Sequence, residues 1–192
     1  MKKTIVTTAL LATLLFAACQ NKNQQVADEE ASVEMIATSH TFSDVAPAVQ
    51  TMMKDLFAHY VHLKNGMVNT DANETKAGAT ALLEVIAAFD TTALTPEQQQ
   101  VYNANIDAII EDAGHIMSTS DIGHQREHMG TLSNNMYAMV KAFGAGKEVY
   151  YEYCPMANKN EGAYWLSESV KIRNPYFGSK MMDCGEVTEA VK

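Results

Sequence analysis

The chain contains no phosphate-binding P-loop, no dinucleotide glycine fingerprint, no GxSxG elbow, no HExxH helix and no CxxCH haem site. Those absences exclude the enzyme classes that the motifs serve. The carboxylates and histidines that remain are scattered, so no enzyme is expected. Positive charge is also scarce: 14 Lys and Arg stand against 23 Asp and Glu, for a net charge of −9. An acidic chain repels phosphate backbones and anionic lipid surfaces, so nucleic acid is not an expected partner. No apolar run is long enough to span a bilayer comfortably; Ile5 to Ala18 has only the length of a signal-peptide core. Cysteine is limited to Cys19, Cys154 and Cys184.

What is present begins with the first twenty residues, MKKTIVTTALLATLLFAACQ. Lys2 and Lys3 give a positive start, the apolar stretch follows, and small residues Ala17 and Ala18 precede Cys19. This resembles a bacterial lipoprotein signal, with Phe16 where Leu is commoner. The resemblance implies removal of residues 1–18 and lipidation at Cys19. The mature chain of 174 residues, with net charge −11, is then held to the membrane by acyl chains rather than by a transmembrane helix. Residues 19–41, rich in Gln, Asn, Asp and Glu, are expected to form a flexible tether. Gln20 follows the lipid cysteine in place of the Asp that retains enteric lipoproteins in the inner membrane. The expected location is therefore the periplasmic face of the outer membrane. With Cys19 set aside, Cys154 and Cys184 are an even pair, and export favours their joining as a disulfide.

Helical periodicity dominates from Ser43 to Phe143. Val45, Val49, Met52, Leu56, Tyr60 and Leu63 mark one face of a first helix, with Ser43 or Asp44 as its cap, Pro47 in its first turn and Asn65-Gly66 as its exit. A second helix starts at Asp71 and carries Leu82, Val85, Ile86 and Phe89. Thr95-Pro96-Glu97-Gln98 has the capping-box pattern of a strong helix start. That third helix carries Val101, Tyr102, Ile106, Ile109, Ile110, Ala113 and Ile116. The fourth begins near Ser120 or Asp121, carries Ile122, Met129, Leu132, Met136, Met139, Val140 and Phe143, and stops at Gly144-Ala-Gly146. Four amphipathic helices of roughly 20 residues with short connections predict an all-α-dominated fold, an antiparallel up-down four-helix bundle. The domain is expected over residues 42–187, with a small irregular or β tail at 147–187 packed on the bundle. Short strands are predicted at 149–153 and 163–166, and Asn174 to Gly178 is a rigid turn.

Two groups of residues carry potential chemistry. Cys154-Pro-Met156 and Met181-Met182-Asp-Cys184 place thiols beside thioethers. These are soft ligands, suited to Cu(I) or Ag(I) rather than to hard cations. The candidate metal set is Cys154, Met156, Met181, Met182 and Cys184. A Cys154–Cys184 disulfide is the competing reading. Its loop of about 31 residues would be stabilised by roughly 3–4 kcal/mol in the chain-entropy model. The two readings differ in geometry. A sulfur separation near 2 Å marks a bond. About 3.5–4.5 Å is what two ~2.3 Å metal–sulfur bonds leave. The second group is histidine. His59 and His62 lie three apart, His124 and His128 four apart, and His115 sits near the end of the third helix. They fall at the edges of the apolar stripes, as boundary residues do. His124 or His128 joins the metal set only if the tail packs over the fourth helix. Asp112-x-x-His115 is a single imperfect copy of the Glu-x-x-His element that di-iron bundles need twice.

The segments CPMA…GAYWLS…IRNPYFGSKMMDCGEV and DIGHQREHMGTLSNNMYAMVKAF resemble a domain of formerly unknown function common in Bacteroidetes-type bacteria. It occurs in stand-alone lipoproteins and at the C-terminus of periplasmic adaptor subunits of copper/silver RND efflux pumps. The resemblance covers about residues 42–187. It implies a helical bundle, a link to copper or silver handling and a heavy-metal efflux adaptor as a partner. The family's marked residues fall here on Cys154, Pro155, Met156, Trp165, Asn174, Pro175, Tyr176, Gly178, Met181 or Met182, Cys184 and Gly185, with Gln125-Arg126 in the fourth helix. Tyr153-Cys154-Pro155-Met156 is also similar to a heavy-metal-binding box of such adaptors, although Ala157 stands where that box has His. The expected function is lipid-anchored soft-metal binding for efflux or buffering. A disulfide-stapled module that docks on an efflux or envelope partner is the alternative.

Overall fold

A computed structural model of the protein describes residues 36–192. The signal at 1–18, Cys19 and most of the tether lie outside the described residues. The fold is dominated by helices, with a small sheet built mainly from the C-terminal segment. Strand β1 (Ile36–Thr38) is followed by α1 (Pro47–Asn69), α2 (Ala72–Ala88), α3 (Pro96–Ser118) and α4 (Ile122–Phe143). Then come β2 (Val149–Cys154), a single turn α5 (Ala157–Asn160), β3 (Ala163–Ser167) and β4 (Glu186–Val191).

The helices form where the apolar periodicity places them, and packing settles their ends. Pro47 opens α1, but the residue before it is Ala46, which makes no side-chain cap, so neither Ser43 nor Asp44 has the expected role. Nor does α1 leave at Asn65-Gly66. It runs on to Asn69 and ends at Thr70, whose φ of 59° is left-handed. Gly66 is instead a point of contact: a Cβ there would lie 2.5 Å from the Thr75 backbone nitrogen of α2. Gly78 of α2 answers it, since its Cβ would lie 2.4 Å from the Leu63 backbone nitrogen. Asp71 caps α2 through Asn73 and Glu74, and Thr95 and Gln98 complete the capping box of α3. Asp121 caps α4, and Gly144 ends it at a φ of 74°. Helix α1 packs along α2, α2 along α3, α3 along α4, and α1 also meets α4. Between them Leu56, Phe57, Leu63, Leu82, Ile109, Ile116, Met129, Leu132 and Met136 are fully enclosed.

The sheet has the order β1-β4-β2-β3. Strand β2 is antiparallel to both β3 and β4, and β1 is parallel to β4. The expected strands at 149–153 and 163–166 are therefore present. The expected boundaries of 42 and 187 are too narrow, because β1 lies in the segment assigned to the tether and β4 continues to Val191. Three-residue β1 has no periodicity of its own and exists through long-range partners. Lys141 of α4 binds Glu189 of β4 (2.6 Å) and Thr38 of β1 (2.7 Å), and Tyr137 and Thr38 donate to the same carboxylate. The C-terminal strands are thus held to α4 by one polar knot.

Candidate functional site

Cys154 ends β2, buried, and Cys184 stands half-buried just before β4. The two sulfurs lie 2.8 Å apart without a covalent bond. This distance falls between the two values expected from the sequence. It is longer than a disulfide and shorter than a pair of metal–sulfur bonds leaves. The nearby Cys154 sulfur, with burial adding to it, pushes the Cys184 thiol up to about 11. At neutral pH Cys184 is therefore a thiol, and a metal or an oxidant must displace its proton.

The family-marked residues of the tail build the clamp that brings the sulfurs together. Buried Asn174 donates from Nδ2 to the Cys184 carbonyl (2.7 Å), and its Oδ1 accepts from the backbone of Tyr176 (2.8 Å) and Phe177 (3.2 Å). Its own N–H donates to the Met182 carbonyl at 2.9 Å. Gly185 has a φ of 145°, and a Cβ there would lie 2.7 Å from buried Trp165. The Tyr176 hydroxyl donates to the Tyr164 carbonyl. From α4, Arg126 reaches the Pro175 carbonyl (2.8 Å) and the Met67 carbonyl (2.7 Å). Gln125 is fully buried and donates to the carbonyls of Ala72, Ile116 and Thr119, which ties the end of α3 to the start of α2. Gln125 and Arg126 are thus fasteners. The thioethers stand differently from one another. Met156 is 47% exposed and lines, with Met181, Arg126, Tyr164 and Tyr176, a groove of 730 Å³ between α4 and the tail. Met182 is half-buried.

Packing of the tail over α4 does not bring His124 and His128 into that groove. Its α4 wall is made of Gly123, Arg126, Glu127, Gly130, Thr131 and Asn134. His124 and His128 meet His115 of α3 instead, and ligand atoms of the three rings all lie within 4.8 Å of one another. His128 and His115 stack at 4.5 Å, and His124 stands edge-on to His128 at 5.0 Å. His128 Nδ1 is 2.8 Å from Asp112 Oδ1, and His124 Nδ1 is 3.0 Å from Glu127 Oε2. Burial pushes the Asp112 carboxyl above its ordinary range, against the pull of His128. His62 pairs with Glu74 on the exposed surface at 2.8 Å.

Residues 56–148 match a family described as a protein of unknown function, DUF3347. These residues are similar to the DUF3347 family. No curated protein and no solved structure matches the chain. The resemblance to a domain of unknown function therefore holds over the fourth-helix segment expected to carry it, and the match does not extend to the tail segment. The DUF3347 match spans most of α1 and all of α2, α3 and α4, and it ends before the Cys/Met tail. The histidine triad, Gln125 and Arg126 lie inside the matched segment; Cys154 and Cys184 lie outside it.

Sequence reasoning missed Glu152. Alternation along β2 put Val149, Tyr151 and Tyr153 on one face and left Tyr150 and Glu152 on the other. In the structure Tyr151 stacks between Tyr137 of α4 and Tyr164 of β3. Glu152 shares the opposite face with its cross-strand partner Trp165, and both are fully buried. Its carboxylate oxygens make no hydrogen bond, nor does Trp165 Nε1. Burial pushes the Glu152 carboxyl up to about 8, against the pull of Lys64. A period-two pattern could not reveal this, because Glu152 is buried near Lys64 of α1, far away in the sequence.

Proposed function

We propose that this protein is a lipid-anchored component of the cell envelope, on the periplasmic side of the outer membrane, that binds Cu(I) or Ag(I) and serves metal efflux or buffering. Its helices are read as an antiparallel up-down bundle, supported by short connections and by the packing of each helix on the next. It carries no catalysis in this reading, and its partner is a heavy-metal efflux adaptor. The observation that carries the proposal is the thiol pair: two sulfurs 2.8 Å apart, from chain positions thirty residues apart, held by a clamp of buried polar and glycine contacts. Cys154 and Cys184 bind as thiolates after opening by about an ångström to admit an ion. The thioethers of Met156, Met181 and Met182 sit on the same two arms and supply further soft donors.

A second reading is supported by the same contact. The sulfurs are about as close to bonding distance as to the shortest ion-bridged one, which supports a disulfide staple that rigidifies a docking module. Anaerobic titration of the reduced full chain in detergent with Cu(I), against a competing chelator, separates the two. Cys154→Ser with Cys184→Ser is expected to lower Cu(I) affinity at least about 100-fold, because both thiolates are lost. Affinity should also rise with pH between 6 and 9, by about tenfold per unit for each proton released, because Cu(I) displaces the proton held by Cys184. Unchanged affinity in the double variant would remove these ligands from the proposal. A quantitative 154–184 disulfide in protein isolated from the envelope, with no Cu(I) bound after reduction, would establish the staple.

A further inference from the structure

We propose that His115, His124 and His128 form a separate binding site for a divalent transition-metal ion of borderline softness, Zn(II) or Cu(II), on the α3–α4 face. Three imidazoles with an open fourth position are a donor set suited to such ions and unlike the sulfur pair. Ligand atoms of all three rings already lie within 4.8 Å of one another. Two metal–nitrogen bonds of about 2.0–2.1 Å at the tetrahedral angle place the nitrogens about 3.4 Å apart. The site therefore needs a contraction of up to about 1.4 Å, supplied by turning His115 out of its stack on His128. His115 is exposed and free to turn, and His124 and His128 are half-buried, so an ion has access from solvent.

Two further observations point to a ligand. His128 and His124 both engage carboxylates through Nδ1, which leaves Nε2 of each ring as the free donor. This is the carboxylate–histidine arrangement that orients metal-binding imidazoles and raises their basicity. Asp112 itself is only 7% exposed, and its Oδ2 is buried without a hydrogen-bond partner beside the triad. A second carboxylate oxygen left unpaired at that depth is costly, and a dication bound next to it offsets the cost. Asp112 and Glu127 also bring carboxylates to the ring of imidazoles. In sequence the site is Asp112-x-x-His115 followed by His124-x-x-x-His128. The loop between the helices, with Asp121 capping α4, brings the two halves into register.

The test is titration of the chelator-stripped full chain carrying Cys154→Ser and Cys184→Ser, which silences the sulfur pair, with Zn(II) by calorimetry and with Co(II) by visible absorption. One ion per chain and the intense visible bands of a low-coordinate Co(II) site are expected. Exposed His115→Ala should weaken Zn(II) binding at least tenfold while leaving the thermal melt of the metal-free chain unchanged. Asp112→Asn, a positioning change, should weaken it by 10- to 100-fold and alter the Co(II) spectrum. Cu(II) should bind more tightly than Zn(II), following the usual order for nitrogen sites. No saturable binding, or equal binding after His115→Ala with His124→Ala, would overturn the site. Saturable binding in the intact chain that disappears in the Cys154→Ser, Cys184→Ser background would overturn it too, by assigning the ion to the sulfurs.

Discussion

Gly78→Ala is expected to destabilise the protein by about 3 kcal/mol, the upper part of the range for overpacking a close contact. Helix propensity alone predicts the opposite sign, a gain of about 0.5–1 kcal/mol when Ala replaces Gly in a helix. Contact geometry reverses it. The new Cβ would lie 2.4 Å from the Leu63 nitrogen and 2.7 Å from its Cα, both backbone atoms that no rotamer change can move. Helices α1 and α2 would have to separate where Leu63 and Leu82 are fully buried. Gly66→Ala should behave similarly, with the Thr75 nitrogen 2.5 Å away. Gly114 of α3 provides the control, since a Cβ there meets nothing within 4 Å. Gly114→Ala should stabilise by about 0.5–1 kcal/mol. Urea denaturation of the three variants checks the set, and a stabilised Gly78→Ala would show that the α1–α2 crossing is looser than described.

Glu152→Gln is expected to stabilise the protein at neutral and alkaline pH and to have little effect near pH 4.5. The native carboxyl titrates at about 8, above its ordinary value of 4.5, because burial disfavours its charged form. Between these values the unfolded chain has lost the proton and the folded chain retains it. Stability therefore falls as pH rises, by about 1.4 kcal/mol per unit. By pH 7 the wild-type chain should lie about 3.4 kcal/mol below the Gln variant, which is neutral in both states. Other carboxylates titrate alike in the two proteins, so the difference between their stability–pH curves isolates Glu152. A constant difference from pH 5 to 8 would mean that Glu152 is ionised in the folded state. Lys64, also buried, lies close enough to oppose the shift, so Lys64→Met should push the Glu152 carboxyl higher still.

The four long helices were legible in the sequence because each is specified within a few turns of itself. Apolar spacings of three and four predicted the faces that carry Val49, Leu56, Leu63, Ile109, Leu132 and Met136. Thr95 with Gln98, and Asp71, announced their starts through local hydrogen bonds. Strands β2 and β3 were visible in their aromatic and β-branched content. Short-range rules failed where a neighbour far along the chain decides the outcome. Gly66 has the sequence of a helix exit, but Thr75 makes it a contact within α1. Ile36–Thr38 had no pattern at all and became a strand by pairing with 189–191. Glu152 had the alternation of an exposed residue and was buried near Lys64 of α1. The candidate sites divide in the same way. Composition alone made Cys154 and Cys184 a pair with soft donors beside them. Their sulfur contact, the turn of His124 and His128 away from the tail, and their meeting with His115 and Asp112 were settled by packing. Side-chain type and local spacing are written in the chain, whereas which distant groups share a desolvated space depends on how the elements close on one another.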